Sequence, residues 1–266
     1  MKINLLIAAL ILLWLTSCNS DDTKTGDRTS TEISAQKNES SEIDIAMSKG
    51  YALMTQKCFI CHFAKPDPSR VNQMIAPPML RVQEHYKPAY PEKDDFIKAV
   101  MEYVKNPVQE KTLMPGTIKK FNIMPKLIYD DKELQLIAEA LYTTDFGSAP
   151  KMKMESIDNL QLNNGKKWKL KSETMAQMKA VQEKINNFQS SEISAYNQLG
   201  KDVFDEAKGV MLDDSYTGEL FDQIHYFFGG IENNMHKLMA TKSMDEAQEQ
   251  LDALKLKFEK FTMFFE

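Results

Sequence analysis

Cys58-Phe59-Ile60-Cys61-His62 is the stretch on which the reading of this 266-residue chain turns. Two thiols stand three residues apart, with an imidazole directly after the second. A thioredoxin-like redox pair needs a strand–helix setting, and no βαβ pattern surrounds the segment. A structural zinc site needs four ligands, and neither a second cysteine pair nor a His-x-x-x-His follows. The chain has three cysteines in all. Cys18 lies far upstream, directly after a leader, so the count does not describe a disulfide framework.

The spacing that remains is the attachment motif of c-type haem. Two thiols at this separation reach the two vinyl groups on one edge of a porphyrin, and the adjacent His62 projects its imidazole beneath the iron. One motif implies one covalent haem, with His62 as the fifth ligand. Low-spin sites of this kind take Met or His as the sixth. Met124-Pro125 and Met114-Pro115 compete for that position. Met124 leads through a short connector into an amphipathic helix that begins near Asp130-Asp131 and runs to Thr143, with Leu134, Ile137, Leu141 and Tyr142 on one face. Met114-Pro115-Gly116 reads equally well as a turn. Met124 is therefore the expected ligand and Met114 the alternative. His85, among Tyr86, Lys87 and Pro88, reads as a surface-loop histidine.

A ligand loop leading straight into a closing helix resembles the class I cytochrome c family, over roughly residues 46 to 147. Gly50 and Met54 match a glycine and a large apolar residue of that family's first helix. The resemblance implies that Gly50 lets the closing helix cross closely, at Leu141 and Tyr142. Ala76-Pro77-Pro78-Met79-Leu80 is similar to the family's proline loop. It implies that the Pro77 carbonyl accepts the His62 Nδ1–H and fixes the ring plane. With both axial positions filled the iron has no open site, which argues for outer-sphere electron transfer over enzyme chemistry on a small-molecule substrate.

Working outward, residues 1–17 read as a secretory signal: Lys2, the apolar run Leu5 to Leu15, then Thr16 and Ser17. That run is too short to span a bilayer with ease. Leu15-Thr16-Ser17-Cys18 resembles a bacterial lipobox, which implies cleavage before Cys18 and its lipidation. Residues 18–45 carry almost no large apolar side chains and read as a disordered tether. Net charge is −5 overall, divided as −3 over residues 1–45, +2 over 46–147 and −4 over 151–266. No basic stripe exists, so nucleic acid is not an expected partner.

Past Gly147-Ser148-Ala149-Pro150 the sequence changes character. Residues 148–170 read as a linker and small β-hairpin, with Asn164-Gly165 favouring a type I′ turn. Residues 171–266 hold four amphipathic patterns: Thr174 to Phe188, opened by a Thr174-x-x-Gln177 capping box, Glu192 to Met211, Tyr216 to Met239, and one starting at the Ser243-x-x-Glu246 box. Short polar connections between them predict an antiparallel four-helix bundle. His225 and His236, eleven residues apart, lie about 16 Å from each other along one helix and cannot share a metal within it. They read as flank histidines. Met152-x-Met154 and the 17 methionines invite a copper(I) reading. Most of those methionines fall on apolar helical faces, where filling gaps is their usual use.

The expected fold is thus mainly α: a class I cytochrome c-like haem domain followed by a four-helix bundle. The expected function is a lipid-anchored extracytoplasmic electron carrier between redox protein partners. The alternative is a haem-based redox or gas sensor or assembly factor whose bundle is the working part.

Overall fold

The computed structural model describes residues 49–147 and 156–266. The signal, Cys18, the tether and Met152-x-Met154 lie outside those residues. Helix α1, described from residue 49 to 57, runs directly into the Cys58–His62 turn. Gly50 sits where α1 crosses α5 (Asp131–Thr143). A Cβ there would come within 2.2 Å of the Leu136 carbonyl oxygen and 3.0 Å of the Ala140 Cβ. Glycine is required for this approach. The crossing falls nearer the middle of α5 than Leu141 and Tyr142, the residues expected from the sequence.

The start of α5 follows from capping. The Asp130 carboxylate accepts the backbone N–H groups of Lys132 and Glu133, at 3.0 and 3.1 Å, satisfying donors that a helix start leaves open. Helices α2 (Met79–Ala89) and α3 (Lys93–Lys105) pack against each other and against α5. Phe96 is fully buried there, its ring edge-on to Tyr86 and Tyr142. The short α4 (Pro115–Phe121) precedes the loop to α5.

Four long helices follow: α6 (Ser172–Asn186), α7 (Ile193–Leu212), α8 (Gly218–Ala240) and α9 (Met244–Phe264). Helix α8 packs on α7 and α9, and α6 also packs on α7 and α9. Phe227, Phe258, Phe261 and Phe265 fill the centre with ring contacts. Ser243 caps α9, its side chain accepting the Glu246 N–H at 3.4 Å. Thr174, expected as a cap, sits inside the first turn of α6. Its Oγ1 instead accepts the buried Tyr216 hydroxyl at 2.7 Å, because α6 begins earlier, behind Lys171.

The turn at Asn164-Gly165 forms, with both residues in the left-handed region at φ 50° and 80°. Asn163 and Lys166 exchange backbone hydrogen bonds of 2.8 and 3.0 Å. The pairing ends there. Trp168 and Leu170 bond instead to Phe264 and Glu266 at the chain end, so the second arm of the expected hairpin pairs with the C-terminus. The first arm begins as a 3-10 turn at Ile157–Asn159, set against Gly230 of α8.

The sequence divides the chain at residues 148–170, but the two halves share an interface. Helix α2 packs on α8 and α4 packs on α7, and the described residues cluster as one unit. The molecule is mainly helical. Among the described residues no helix is long and apolar enough to cross a membrane.

Candidate functional site

The motif occupies the turn that ends α1. The N–H of Cys58 donates to Met54 O at 2.8 Å, and those of Cys61 and His62 donate to Cys58 O at 3.1 and 2.9 Å. Met54, completely buried, holds this turn to the core. The two thiols are not joined to each other. Burial pushes the Cys58 thiol up to about 11, against the pull of Lys57.

Pro77 and Pro78 are brought to the motif by the start of α2. The N–H groups of Met79 and Leu80 donate to Phe63 O and Ala64 O, at 2.8 and 3.0 Å. Those carbonyls belong to the two residues after His62, so the helix start and the motif are stitched together. His62 Nδ1 lies 2.6 Å from the Pro77 carbonyl oxygen. Burial holds the His62 pKa below its ordinary value, while the Pro77 bond acts in the opposite sense.

The two Met-Pro segments sit in different surroundings. Met114, the residue before α4, is buried, and its backbone N–H bonds Thr112 Oγ1 at 2.9 Å. It lines a cavity shared with α7 and α8. Met124 is half-buried in the loop from residue 122 to 130, which opens with Asn122 at φ 62°. This loop lies beside the motif. Burial raises the Tyr129 pKa, and so do its neighbours Cys58 and Cys61. Lys57, next to the motif, pairs with Glu133 in the first turn of α5. Ile60 in the motif turn, Ile75 just before Pro77, and Ile123, Leu127 and Ile128 in this loop are all exposed, Ile128 completely.

A second cluster was not foreseen. His85 lies within α2, not in a surface loop, and its Nδ1 stands 2.9 Å from Glu232 Oε1 on α8. His236 Nε2 is 4.0 Å from the same oxygen. Burial opposes ionisation of Glu232, yet the three imidazoles of His85, His236 and His225 hold its carboxyl below the usual range. Burial drives both His225 and His236 down to about 4, against the attraction of Glu232. His225 Nδ1 and His236 Nε2 are buried without a hydrogen-bond partner. The sequence signal was the stripe His225, Glu232, His236 at spacings of seven and four on one helix. Nothing local pointed to α2 as its partner. Among the described residues no group of three or more His, Cys, Asp or Glu side chains is arranged to hold a metal ion.

No protein-family profile matches the chain, and no solved structure matches it. The chain is 30% identical over 111 residues to an uncharacterized protein of Aquifex aeolicus (strain VF5). That alignment covers 36% of this chain and 73% of the Aquifex protein.

Proposed function

We propose that this chain, which belongs to one family with the uncharacterized Aquifex aeolicus protein, is a lipid-anchored monohaem c-type cytochrome carrying single electrons between extracytoplasmic redox proteins. The observation that carries the reading is the Cys58-x-x-Cys61-His62 turn with its imidazole bonded to Pro77 O at 2.6 Å. A Nδ1 that donates to a backbone carbonyl leaves the Nε2 lone pair for a metal, in a fixed ring plane.

The residues present fit a haem. Cys58 and Cys61 are two unjoined thiols on one turn, available for thioether bonds. The lowered pKa of His62 keeps its imidazole in the neutral form that ligates. The exposed Ile60, Ile75, Ile123 and Ile128, on the motif turn and the segments carrying Pro77 and Met124, would offer a porphyrin apolar contact. When bound, the haem supplies an iron that changes oxidation state by one electron. The chain's own contribution would be to hold that group through Cys58 and Cys61, to shield it with apolar side chains, and to ligate its iron with His62 and Met124. Met124 is preferred over Met114 because its loop adjoins the motif, whereas Met114 is committed to the cavity with α7 and α8. With both His62 and Met124 as ligands the group would serve electron transfer rather than substrate chemistry, at a potential above that of bis-His ligation.

On this reading α1 to α5 form a class I cytochrome c-like domain, supported by the glycine crossing of α1 on α5. Helices α6 to α9 form an antiparallel four-helix bundle that serves as a docking module. The signal and lipobox at Cys18 support anchorage to a membrane face.

The test is optical spectroscopy of the purified chain beside Met124→Ala and Met114→Ala. The wild type is expected to show one covalent haem with a methionine–iron charge-transfer band. Met124→Ala loses the band and Met114→Ala keeps it. Loss in Met114→Ala alone would overturn the ligand assignment. Prompt binding of CO by the ferrous wild type would replace the electron carrier with the haem-sensor reading.

A further inference from the structure

The surface where α2 and α4 meet α7 and α8 gathers four titratable groups, none of them part of the Cys58–His62 turn. Helix α2 delivers His85, and α8 delivers His225, Glu232 and His236. The His85 and His236 rings stand edge to face with centroids 6.4 Å apart, and His236 packs on Phe204 of α7 at 4.9 Å. Gly116 of α4 comes so close to His225 that a Cβ would fall 2.6 Å from Nε2. One carboxylate thus serves three imidazoles, and the rings sit on the contact that joins the two halves. The neighbouring charges are engaged or positive. Arg81 of α2 pairs with Glu84 at 2.6 Å. Lys120 of α4 lies over the Phe121 ring and disfavours a proton on His225. Lys208 of α7 pairs with Asp205 at 3.7 Å and disfavours a proton on His236. From α9, Lys257 donates to Gly230 O and Asn234 Oδ1, both at 2.7 Å. Glu232, which attracts a proton to both rings, is itself held by His85 at 2.9 Å.

We propose that this cluster is an acid-operated latch: protonation of His236 and His225 parts α2 and α4 from α7 and α8, while the helices within each half stay packed.

The closed surface cannot absorb the added charge. His225 Nδ1 and His236 Nε2 are buried without a hydrogen-bond partner. An imidazolium carries a proton on both ring nitrogens, so each ring would hold an N–H with no acceptor. Leaving a buried donor unpaired is costly, and more so when it is charged. Parting the halves lets water solvate each imidazolium and relieves its repulsion from His85 and the lysines. The direction in pH follows. Burial lowers both rings from 6.5 to about 4, so the parted state takes up protons first. Above about pH 6.5 both rings are neutral and the latch is closed. As pH falls toward about 4, each ring shifts the balance to the parted state by up to about 100-fold. The response stays local because the centre of each half is apolar. Met54 and Phe96 fill one, and Phe227, Phe258 and Phe261 fill the other.

The experiment is hydroxyl-radical footprinting of the full chain at a series of pH values from neutral down to about 4, with oxidised methionines counted by mass spectrometry. Met114 and Met211 line the cavity between the halves and are buried there, and the Met211 methyl reaches Gly116 of α4. Both should lose their protection as pH falls and regain it on return to neutral. Met54 and Met178, buried within the two halves, should stay protected over the same range. His225→Gln/His236→Gln should match the wild type at neutral pH and move the onset down by about one pH unit or more. Glu232→Gln, which removes the attracting carboxylate and keeps both histidines, should move it up. Should the variants not fold, the order of exposure in the wild type decides: Met114 and Met211 ahead of Met54 and Met178 supports the latch. Simultaneous oxidation of all four, protection of Met114 and Met211 throughout, or an unchanged onset in a folded double variant overturns it.

Discussion

In the C-terminal helices Phe227, Phe258, Phe261 and Phe265 are almost sealed from solvent, whereas around the Cys58–His62 turn Ile60, Ile75 and Ile128 stand mostly exposed. The exposed apolar residues of α9, Leu256 and Met263, are isolated, as surface hydrophobics normally are. Those near the motif lie on three segments: the motif turn, the stretch before Pro77, and the loop from residue 122 to 130. The difference teaches that α6 to α9 complete their own core with protein side chains. The region of α1 to α5 leaves apolar side chains open beside the motif, which on the proposed reading a haem would cover. Loss of the cofactor should then be felt unequally along the chain.

The largest expected effect separates the halves. Cys58→Ser/Cys61→Ser should abolish covalent haem and sharply reduce amide-exchange protection over residues 49–147, with α6 to α9 still protected. Simultaneous loss in both halves would show that the α2–α8 and α4–α7 contacts bind them into one cooperative unit.

Phe227→Ala sharpens the other side of the contrast. Phe227 is completely buried among four further phenylalanines. Its truncation should cost about 3–5 kcal/mol of stability, measured by denaturant unfolding. The Met–iron band should persist wherever the protein remains folded. Loss of the band before global unfolding would break the distinction between the regions.

A smaller effect lies at the interface. His225 and His236 are driven from 6.5 to about 4 by burial, so the native state holds them neutral and the unfolded chain binds protons first. Stability should therefore be full above about pH 6.5 and fall as pH drops toward about 4. The lowered pKa of Glu232 acts in the same direction, because protonation removes a charge the native state favours. Thermal midpoints across this range, beside His236→Gln, provide the check: the variant should show a shallower decline. An equal slope would assign the acid response elsewhere.

How far the sequence reaches differs between these features. Helix α5 was legible from Asp130 as cap and from apolar residues at helical spacing, both local signals. The start of α6 was not. Thr174 carries a cap-like pattern with Gln177, but burial against Tyr216 takes its hydroxyl inward. The turn at Asn164-Gly165 was legible because only particular residues adopt two left-handed conformations in succession. Its strand partner was not, since Trp168 pairs with residues almost a hundred positions away. His85 shows the same limit more sharply. Its neighbours Tyr86, Lys87 and Pro88 suggest a loop, and its role depends on Glu232 on a helix that packs from the other half of the chain.

By itself, the sequence determined the mainly helical composition and where most helices start and stop, because caps, periodicity and turn residues act over a few positions. It also determined the two thiols and imidazole of the attachment motif, because that chemistry needs fixed spacing along the chain. Only the tertiary structure decided that Met114 is buried against α7 and α8 while Met124 stands half-buried in a loop, and that His85, His225 and His236 converge on Glu232. These depend on which helix faces pack together, and that is set by burial summed over the whole fold.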